Sequence, residues 1–312
     1  MSEDRAHLLE TLITLRDWLR WSVSRFGEAD LVYGHGTASA LDEAAFLLLS
    51  ALHLPIDRLE PWLDARLTLT ERQTLLDLVM RRIETRQPAP YLVGAAYIQG
   101  HRFRVDERVI VPRSYLGELI CTGGLAPVLP DRVGRVLDLC TGSGCLAILA
   151  ALAWPEAQVD AADVSADALA VAATNVADYE LGERVTLRAG DLLQACGSER
   201  YDLILANPPY VAAAEVAAFA PEHAAEPALA HLGGADGLDH VRRILADAPS
   251  HLAPGGVLVM EIGTGRDLLE QAYPHLPFVW LDTETSEGEV LAIGAAALAG
   301  PLPKPARARR KA

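Results

Sequence analysis

Lysine is almost absent from this chain of 312 residues, since Lys304 and Lys311 are the only two lysines among 27 basic residues. Such a bias is typical of a coding preference for arginine, so the arginine content does not by itself indicate phosphate recognition. Basic residues are also fewer than the 42 acidic ones, and the formal net charge is −15. This negative charge argues against a general nucleic-acid binder and favours a basic protein partner through electrostatic steering.

Cysteines and long hydrophobic runs are also scarce. The four cysteines show no C-x-x-C spacing and no matching histidines, which argues against a structural zinc site and against a disulfide framework. Charged residues near the amino terminus argue against the apolar core of a signal peptide. The longest uncharged run, 139–155, is interrupted by glycines and is short for a membrane span. We therefore expect a cytoplasmic protein with reduced thiols.

The N-terminal third has helical periodicity. Apolar residues recur at three- and four-residue steps over 8–26, which predicts one amphipathic helix. A second helix is predicted over 41–54. A third helix is predicted to begin near Thr70, which stands at capping-box spacing from Gln73. Together these patterns predict a helical domain over 1–92.

Beyond this domain the period of the pattern changes. Two short runs, 97–103 and 108–113, resemble strands and predict a β-hairpin linker over 93–114. Strand-like and helix-like segments then alternate over 115–298, which is typical of a mostly parallel, doubly wound α/β sheet with helices on both faces. The proline- and arginine-rich residues 299–312 are predicted to form a flexible basic tail.

A glycine-rich turn, DLCTGSGCLA at 138–147, lies between the first strand and the first helix of the alternating region. Glycines at such a turn let the backbone approach a ligand closely and present helix N–H groups to it. Gly142, Gly144 and Ala147 also match the G-x-G-x-x-A fingerprint of dinucleotide-binding enzymes, so an NAD-dependent enzyme is an alternative. The candidate cofactor-binding residues of this turn are Asp138, Thr141, Gly142 and Gly144.

Acidic residues come after the next two predicted strands. Asp163 lies about 20 residues beyond the glycines, where a carboxylate accepts hydrogen bonds from a ribose, and both NAD and S-adenosylmethionine carry that ribose. The alternative role of Asp163 is to cap the helix that begins near Ser165. Asp191 is expected over the same crevice, with Leu192 available to pack on an adenine ring.

The stretch LILANPPYV, 203–211, begins as a buried strand and ends as a rigid turn. Pro208 and Pro209 have no N–H for a sheet ladder and have a fixed φ, so they end the strand and stiffen the turn after it. They hold Asn207 and Tyr210 at the carboxyl end of the strand. A dehydrogenase usually needs an acid near the nicotinamide, whereas this turn offers a neutral amide, rigid carbonyls and a ring. Such a turn suits a planar nitrogen nucleophile.

With N-P-P-Y placed after D-L-C-T-G-S-G, nearly the whole chain resembles class I S-adenosylmethionine-dependent methyltransferases that methylate planar amide or exocyclic amino nitrogens. The resemblance implies a Rossmann-like class I methyltransferase fold, S-adenosylmethionine as methyl donor and no required metal. It implies that the Asn207 side-chain oxygen and the Pro208 carbonyl accept hydrogen bonds from a substrate NH₂ group and favour the positive charge that develops. It also implies that Tyr210 packs on the amide, that Pro209 completes the substrate site and that Asn207 adjoins the cofactor.

The segment EPALAHLGGADGL, 226–238, is similar to the E-P-x-x-A-L-x-x-G-x-D-G-L segment of protein glutamine methyltransferases. A turn that leads into a helix is its structural interpretation, with glycines for flexibility, and we expect it also to wall the substrate site. Three stretches, 16–26, 33–37 and 100–120, resemble the branch of this family that modifies a glutamine of ribosomal protein L three. The resemblance implies that this basic ribosomal protein is the substrate and that the helical domain recognises it.

Two residues near these stretches have no assigned role. The release-factor branch of the family typically has P-R-P-x-T-E after the hairpin, whereas this chain has Ser114 for the second proline and Glu118 one residue late. This departure weakens any role for Glu118. His35 stands between two glycines and is either a substrate contact or part of a tight turn.

Three alternative functions differ from the favoured one. Within the family, the alternative is the enzyme that methylates the GGQ loop of release factors. From other classes, the alternatives are an NAD-dependent oxidoreductase and a ribosome-assembly factor that only binds. The intact N-P-P-Y motif argues against binding alone. The basic tail either contacts ribosomal RNA during assembly or is solvated.

Overall fold

The computed structural model of this chain describes residues 5–300, and the chain divides into two compact units. One unit contains the chain up to Ala96 together with Val105–Glu107 and Phe219–Glu226, and the other contains the remaining residues. The domain limits inferred from the sequence stay a prediction, and the predicted basic tail lies almost wholly outside the described residues. Within the described part of the chain, none of the helices has both the length and the apolar character needed to cross a membrane.

The first unit is helical, as the periodicity predicts. Its N-terminal helices are α1 (Arg5–Thr11), α2 (Leu15–Glu28), α3 (Ala40–Ala51), α4 (Leu69–Thr85) and α5 (Ala89–Val93). Trp18 of α2, Leu48 of α3 and Val79 of α4 are fully buried in one apolar cluster. Three amphipathic helices therefore share one core, which stabilises each of them more than helix propensity alone.

The single helix predicted over 8–26 is wrong, because the chain breaks between α1 and α2. The Thr14 hydroxyl accepts a hydrogen bond from Asp17 N at 3.2 Å, and the Asp17 carboxylate accepts one from Thr14 N at 2.9 Å. This capping box satisfies N–H groups at the start of α2. Leu12 and Leu15 are both buried across the break, so the apolar spacing continues although the helix does not.

The capping box predicted for the third helix is also wrong, by two residues. Thr68 and Glu71 form it, with Glu71 N donating to Thr68 Oγ1 at 3.3 Å and Thr68 N donating to Glu71 Oε2 at 2.7 Å. Thr70 and Gln73 lie inside α4. The helix therefore begins earlier than the sequence suggested.

The β-hairpin is shorter than predicted. Its strands are β1 (Ala96–Ile98) and β2 (His101–Phe103). Gln99 and Gly100 join them with φ of +49° and +78°, the left-handed pair that a tight two-residue hairpin needs. The prediction of a further strand over Arg108–Arg113 is wrong, because that segment has no strand structure.

The second unit is built on a sheet of seven strands. The strands are β3 (Arg135–Leu139), β4 (Gln158–Asp163), β5 (Val185–Ala189), β6 (Tyr201–Ala206), β7 (Leu252–Glu261), β8 (Val279–Leu281) and β9 (Val290–Gly294). They lie in the order β5-β4-β3-β6-β7-β9-β8, with β3 to β7 parallel and β9 antiparallel to both neighbours. Strand order reverses between β3 and β6, and ligands of such sheets bind at the carboxyl ends there.

Helices cover both faces of this sheet. The remaining α-helices among the described residues are α6 (Tyr115–Thr122), α7 (Cys145–Ala153), α8 (Ala166–Asp178), α9 (Ala213–Val216), α10 (Pro221–Ala224, in the first unit), α11 (Asp239–His251), α12 (Arg266–Ala272) and α13 (Ala295–Leu298). In β6, Leu203 and Leu205 pack in the cluster that contains α7, whereas Ile204 and Ala206 pack in the cluster that contains α11. This alternation confirms the predicted doubly wound α/β fold with helices on both faces of the sheet.

Candidate active site

The predicted glycine turn comes after β3 at the carboxyl edge of the sheet. Gly142 and Gly144 have φ of +54° and +80°, a region that residues with a side chain rarely adopt. A Cβ on Gly144 would lie 3.1 Å from the Cβ of Ala172, so the turn packs closely on α8. Thr141 N donates to the Ala162 carbonyl at 3.0 Å and thereby ties the turn to β4.

Asp138 braces this turn from the end of β3 and is fully buried. Its Oδ2 accepts hydrogen bonds from Thr141 Oγ1 at 2.5 Å and from Ala147 N at 3.1 Å. Its Oδ1 has no hydrogen-bond partner among residues 5–300. Burial raises the pKa of Asp138 to about 7. The turn therefore contains one buried acceptor atom that the described chain leaves unused.

The Asp163 carboxylate joins the end of β4 to the glycine turn. Its Oδ2 accepts a hydrogen bond from Gly142 N at 2.9 Å, and its Oδ1 accepts one from Ser165 N at 2.9 Å. Ser165 itself caps α8, with its hydroxyl accepting from Ala168 N at 3.2 Å, so Asp163 is not the cap. Burial raises the pKa of Asp163.

Asp191 and Leu192 lie in the adjoining turn, after β5. Gly190 N donates to the Asp163 carbonyl oxygen at 3.0 Å, which holds this turn beside the end of β4. The Asp191 carboxylate accepts a hydrogen bond from Arg243 Nη2 at 2.6 Å. Leu192 is only 7% exposed and has a φ of +52°. Asp191 is therefore already paired, whereas Asp138 keeps an unused oxygen.

The Cys140 thiol is buried within the electrostatic reach of all three predicted acids. Burial raises the pKa of its thiol, and the charges of Asp163, Asp138 and Asp191 raise it further. The structure therefore brings together acids that the sequence places at three separate strands. This thiol is kept in its neutral form.

The residues Asn207–Tyr210, here called the NPPY turn, come directly after β6. The neighbouring strand is β3, so this turn and the glycine turn stand at the same edge of adjacent strands. Pro208 is buried and Asn207 is partly exposed. The Asn207 side-chain amide makes no hydrogen bond to any residue that the structure describes. Both polar atoms of this amide are thus available to a ligand.

Tyr210 is held through its hydroxyl group. The hydroxyl donates to Glu261 Oε1 at 3.0 Å, and Glu261 Oε2 accepts hydrogen bonds from Ser114 Oγ at 2.6 Å and Tyr115 N at 3.0 Å. Burial raises the pKa of Glu261, and burial together with the Glu261 charge raises the pKa of Tyr210. Glu261 was not predicted from the sequence, although it ends a strand just as Asp163 does.

Residues Leu232–Gly237, here called the glycine strap, lie along the NPPY turn. Leu232 forms a parallel bridge with Val211, and Gly233 N donates to the Val211 carbonyl at 2.8 Å. A Cβ on Gly233 would lie 2.8 Å from the Pro209 carbonyl oxygen. These glycines therefore permit close backbone packing, and their contribution to flexibility stays a prediction. That the strap walls the substrate site stays a prediction.

His35 is fully buried inside the first unit. Its Nε2 lies 3.6 Å from Glu226 Oε2, and its ring centroid lies 4.5 Å from that of His223. Close by, Arg86 Nε pairs with Glu222 Oε1 at 2.8 Å. Because a fully buried side chain offers no surface to a protein substrate, this position favours the structural interpretation of His35.

Glu118 and the acidic, cysteine and histidine side chains complete the description of the predicted site residues. Glu118 of α6 accepts a hydrogen bond from Glu284 N at 2.8 Å on the surface, which gives it a local structural contact. Among the residues that the structure describes, no group of three or more His, Cys, Asp or Glu is placed to hold a metal ion.

Comparison with known proteins identifies relatives of the chain. The family model of the methyltransferase small domain matches residues 120–235. A ribosomal protein uL3 glutamine methyltransferase of Bradyrhizobium diazoefficiens is 58% identical over 294 residues, which cover 92% of both chains. Proteins of the same name from Bordetella pertussis and Burkholderia pseudomallei are 56% and 52% identical, and the matches cover 90% and 91% of this chain and 95% of each relative.

Proposed function

This chain belongs to the family of ribosomal protein uL3 glutamine methyltransferases, and on that premise we propose that it transfers a methyl group from S-adenosylmethionine to the side-chain amide nitrogen of a glutamine in ribosomal protein uL3. The observation that supports this proposal most directly is the position of the Asn207 side chain. It stands at the carboxyl end of β6 on a rigid turn, and its amide has no hydrogen-bond partner among the described residues. An acceptor held in this way suits the NH₂ group of a substrate amide.

The residues around the glycine turn fit S-adenosylmethionine, which carries a cationic amino group and ribose hydroxyls as donors. Asp138 has a buried acceptor oxygen without a partner among residues 5–300. The Asp163 oxygens each accept one hydrogen bond and keep further lone pairs. We infer that Asp138 and Asp163 accept from these donors. Thr141, Gly142 and Gly144 would shape the turn around the ligand, and Asp191, Leu192 and Asn207 would complete its surroundings.

Methyl transfer to an amide depends mainly on orientation. S-adenosylmethionine supplies a methyl group that is already activated on a sulfonium. An amide nitrogen is a poor nucleophile because its lone pair is delocalised into the carbonyl. In this proposal, Asn207 Oδ1 and the Pro208 carbonyl oxygen accept hydrogen bonds from the NH₂ group and favour the positive charge that develops. Tyr210 and Pro209 hold the amide plane. Such positioning can lower the barrier of a well-oriented reaction by about 7–11 kcal/mol.

The proposed partner is a basic protein, which agrees with the net charge of −15 on the chain. The alternative of an NAD-dependent oxidoreductase is wrong, because the family is one of methyltransferases. Gly142, Gly144 and Ala147 then belong to a glycine turn that two cofactor classes share. No contact of the described residues favours the release-factor alternative.

The test is methyl transfer by the purified full-length chain. Unassembled uL3 is incubated with the chain and S-adenosylmethionine carrying an isotopically labelled methyl group, and peptides are sequenced by mass spectrometry. The expected result is one added methyl group on a glutamine side chain. Absence of label in uL3, from an enzyme that is shown to be folded, would contradict the proposal. Label on another residue type would contradict both the glutamine target and the amide mechanism, although uL3 would remain the substrate.

A further inference from the structure

Glu261 is a buried acidic residue without a charged partner. It ends β7 and is 2% exposed, and it forms no ion pair with any residue that the structure describes. Removing a carboxylate from water is costly unless hydrogen bonds replace its hydration. The position of Glu261 therefore depends on the donors around it.

Three donors surround the Glu261 carboxylate. The Ser114 hydroxyl lies 2.6 Å and the Tyr115 amide 3.0 Å from Oε2, and the Tyr210 hydroxyl lies 3.0 Å from Oε1. Ser114 and Tyr115 begin α6, whereas Tyr210 belongs to the NPPY turn. One carboxylate thus ties the start of a helix to the turn that carries Asn207.

The Tyr210 ring is also fixed by packing. A Cβ on Gly263 would lie 2.7 Å from Cε2 of Tyr210, so the ring packs directly on the backbone at Gly263. Gly263 comes after Glu261 with one intervening residue. The same short segment therefore packs against one side of the ring and accepts the hydrogen bond of its hydroxyl.

We propose that Glu261 is a positioning residue for methyl transfer. By accepting the Tyr210 hydrogen bond, it fixes the ring and with it the NPPY turn that presents Asn207 and the Pro208 carbonyl. This role rests on the proposed function of that turn. Glu261 needs no contact with substrate, because it acts through Tyr210. A carboxylate suits the role, since it accepts from all three donors and offers no donor of its own when ionised.

The kinetic test is a double-mutant cycle of Glu261→Gln and Tyr210→Phe in the full-length chain. Each single change is expected to lower kcat for uL3 methylation about tenfold, while S-adenosylmethionine affinity stays within about twofold, because the turn loses order and the cofactor site does not. Once the Tyr210 hydroxyl is absent, Glu261→Gln is expected to have little further effect. The proposal would be overturned if the loss of kcat in the double variant equalled the product of the two single losses. A normal kcat in folded Glu261→Gln would overturn it as well. Glu287→Gln, an exposed change of the same kind, is the matched control.

Hydrogen–deuterium exchange provides a readout that does not depend on methyl transfer. In Tyr210→Phe and in Glu261→Gln, the peptide that contains Tyr210 and Val211 is expected to exchange about fivefold faster than in the unchanged chain. The peptide of α7 is the internal reference. If Glu261→Gln does not fold, Tyr210→Phe still tests the hydroxyl contact. Unchanged exchange in the variants would overturn the positioning role, whereas an unchanged chain that fails to methylate uL3 would overturn only the proposed function.

Discussion

The Gly142 amide donates a hydrogen bond of 2.9 Å to the Asp163 carboxylate. The acid that ends β4 therefore shapes the glycine turn that comes after β3. Its remaining lone pairs are left for a ligand. One side chain thus contributes both to the form of the turn and to the proposed binding of the cofactor ribose.

Replacing Asp163 with alanine is expected to weaken S-adenosylmethionine binding by about 1–3 kcal/mol, because the ribose hydroxyls and Gly142 both lose an acceptor. Isothermal titration calorimetry measures this loss. Asp167→Ala removes an exposed acid in the first turn of α8 and should leave the affinity unchanged. Unchanged affinity in a folded Asp163→Ala variant would remove Asp163 from the cofactor site.

Replacing Asn207 with alanine is expected to lower turnover by about 10²–10³ while cofactor binding persists, because the side-chain oxygen is needed as charge develops on the substrate nitrogen. Single-turnover methylation of uL3 measures this loss directly. Pro208→Ala should be milder, since its backbone carbonyl remains. Near-normal turnover by folded Asn207→Ala would rule out the amide mechanism proposed for the NPPY turn.

A comparison of two glycines allows the cost of a positive φ to be measured separately from the need for close packing. Gly237 and Gly255 have φ of +81° and +80°, but a Cβ on Gly237 would overlap the Tyr210 carbonyl oxygen, whereas one on Gly255 has open space. Alanine at either position is expected to cost about 1 kcal/mol of stability through the backbone alone. Only Gly237→Ala should also lower kcat, because it displaces the NPPY turn. Equal kcat values in the two variants would contradict this role of the glycine strap.

Periodicity predicts elements well when one pattern has one structural solution. The apolar run CLAILAALA, preceded by a glycine turn, becomes α7 at Cys145–Ala153. Capping is less determined, because Thr68 with Glu71 and Thr70 with Gln73 share the same spacing. The structure selects the earlier pair, and spacing alone contains no information that distinguishes the two.

Tertiary contacts explain the features that the sequence did not predict. Val109 and Val111 are buried on alternate positions of the segment that was predicted to be a strand. Apolar residues at alternate positions indicate that one side of an extended chain is buried. A strand needs in addition hydrogen bonds to a neighbouring strand. Likewise, the sequence indicates only a flat packing surface at Tyr210. The hydrogen bond from Tyr210 to Glu261 depends on the pairing of β6 with β7.

The buried Asp138 is expected to make stability depend on pH near neutrality. The pKa of Asp138 is about 7 in the folded chain, against an ordinary value of 3.8. At a pH between 3.8 and about 7, Asp138 therefore keeps a proton in the folded chain that it has lost in the unfolded chain. Its stabilising contribution therefore falls as pH rises, by about 1 kcal/mol between pH 6 and pH 8. Urea denaturation of the chain and of Asp138→Asn at both pH values measures the difference. If the stability of both proteins changed equally between the two pH values, the raised pKa of Asp138 would be contradicted.

The choice of protein substrate is expected to depend on residues outside the NPPY turn. Both glutamine-methylating branches that the sequence resembles share the motif, so the chemistry of Asn207 does not distinguish uL3 from a release factor. The stretches of this chain that resemble the uL3 branch lie instead in α2, in the loop between α2 and α3, and around the hairpin. A chain with a net charge of −15 should also attract a strongly basic ribosomal protein.

A competition assay with equimolar uL3 and release factor tests this choice, and mass spectrometry detects the methylated glutamine of each. We expect uL3 to be methylated preferentially and the release factor to stay largely unmodified. Because the attraction is electrostatic, association with uL3 should slow as salt rises beyond about 0.1 M, where the Debye length is about 10 Å. Rates that do not change with salt would contradict steering. Preferential methylation of the release-factor GGQ loop would contradict the proposal that uL3 is the preferred substrate. The proposed role of Asn207 would stand, because the amide chemistry is the same on either protein.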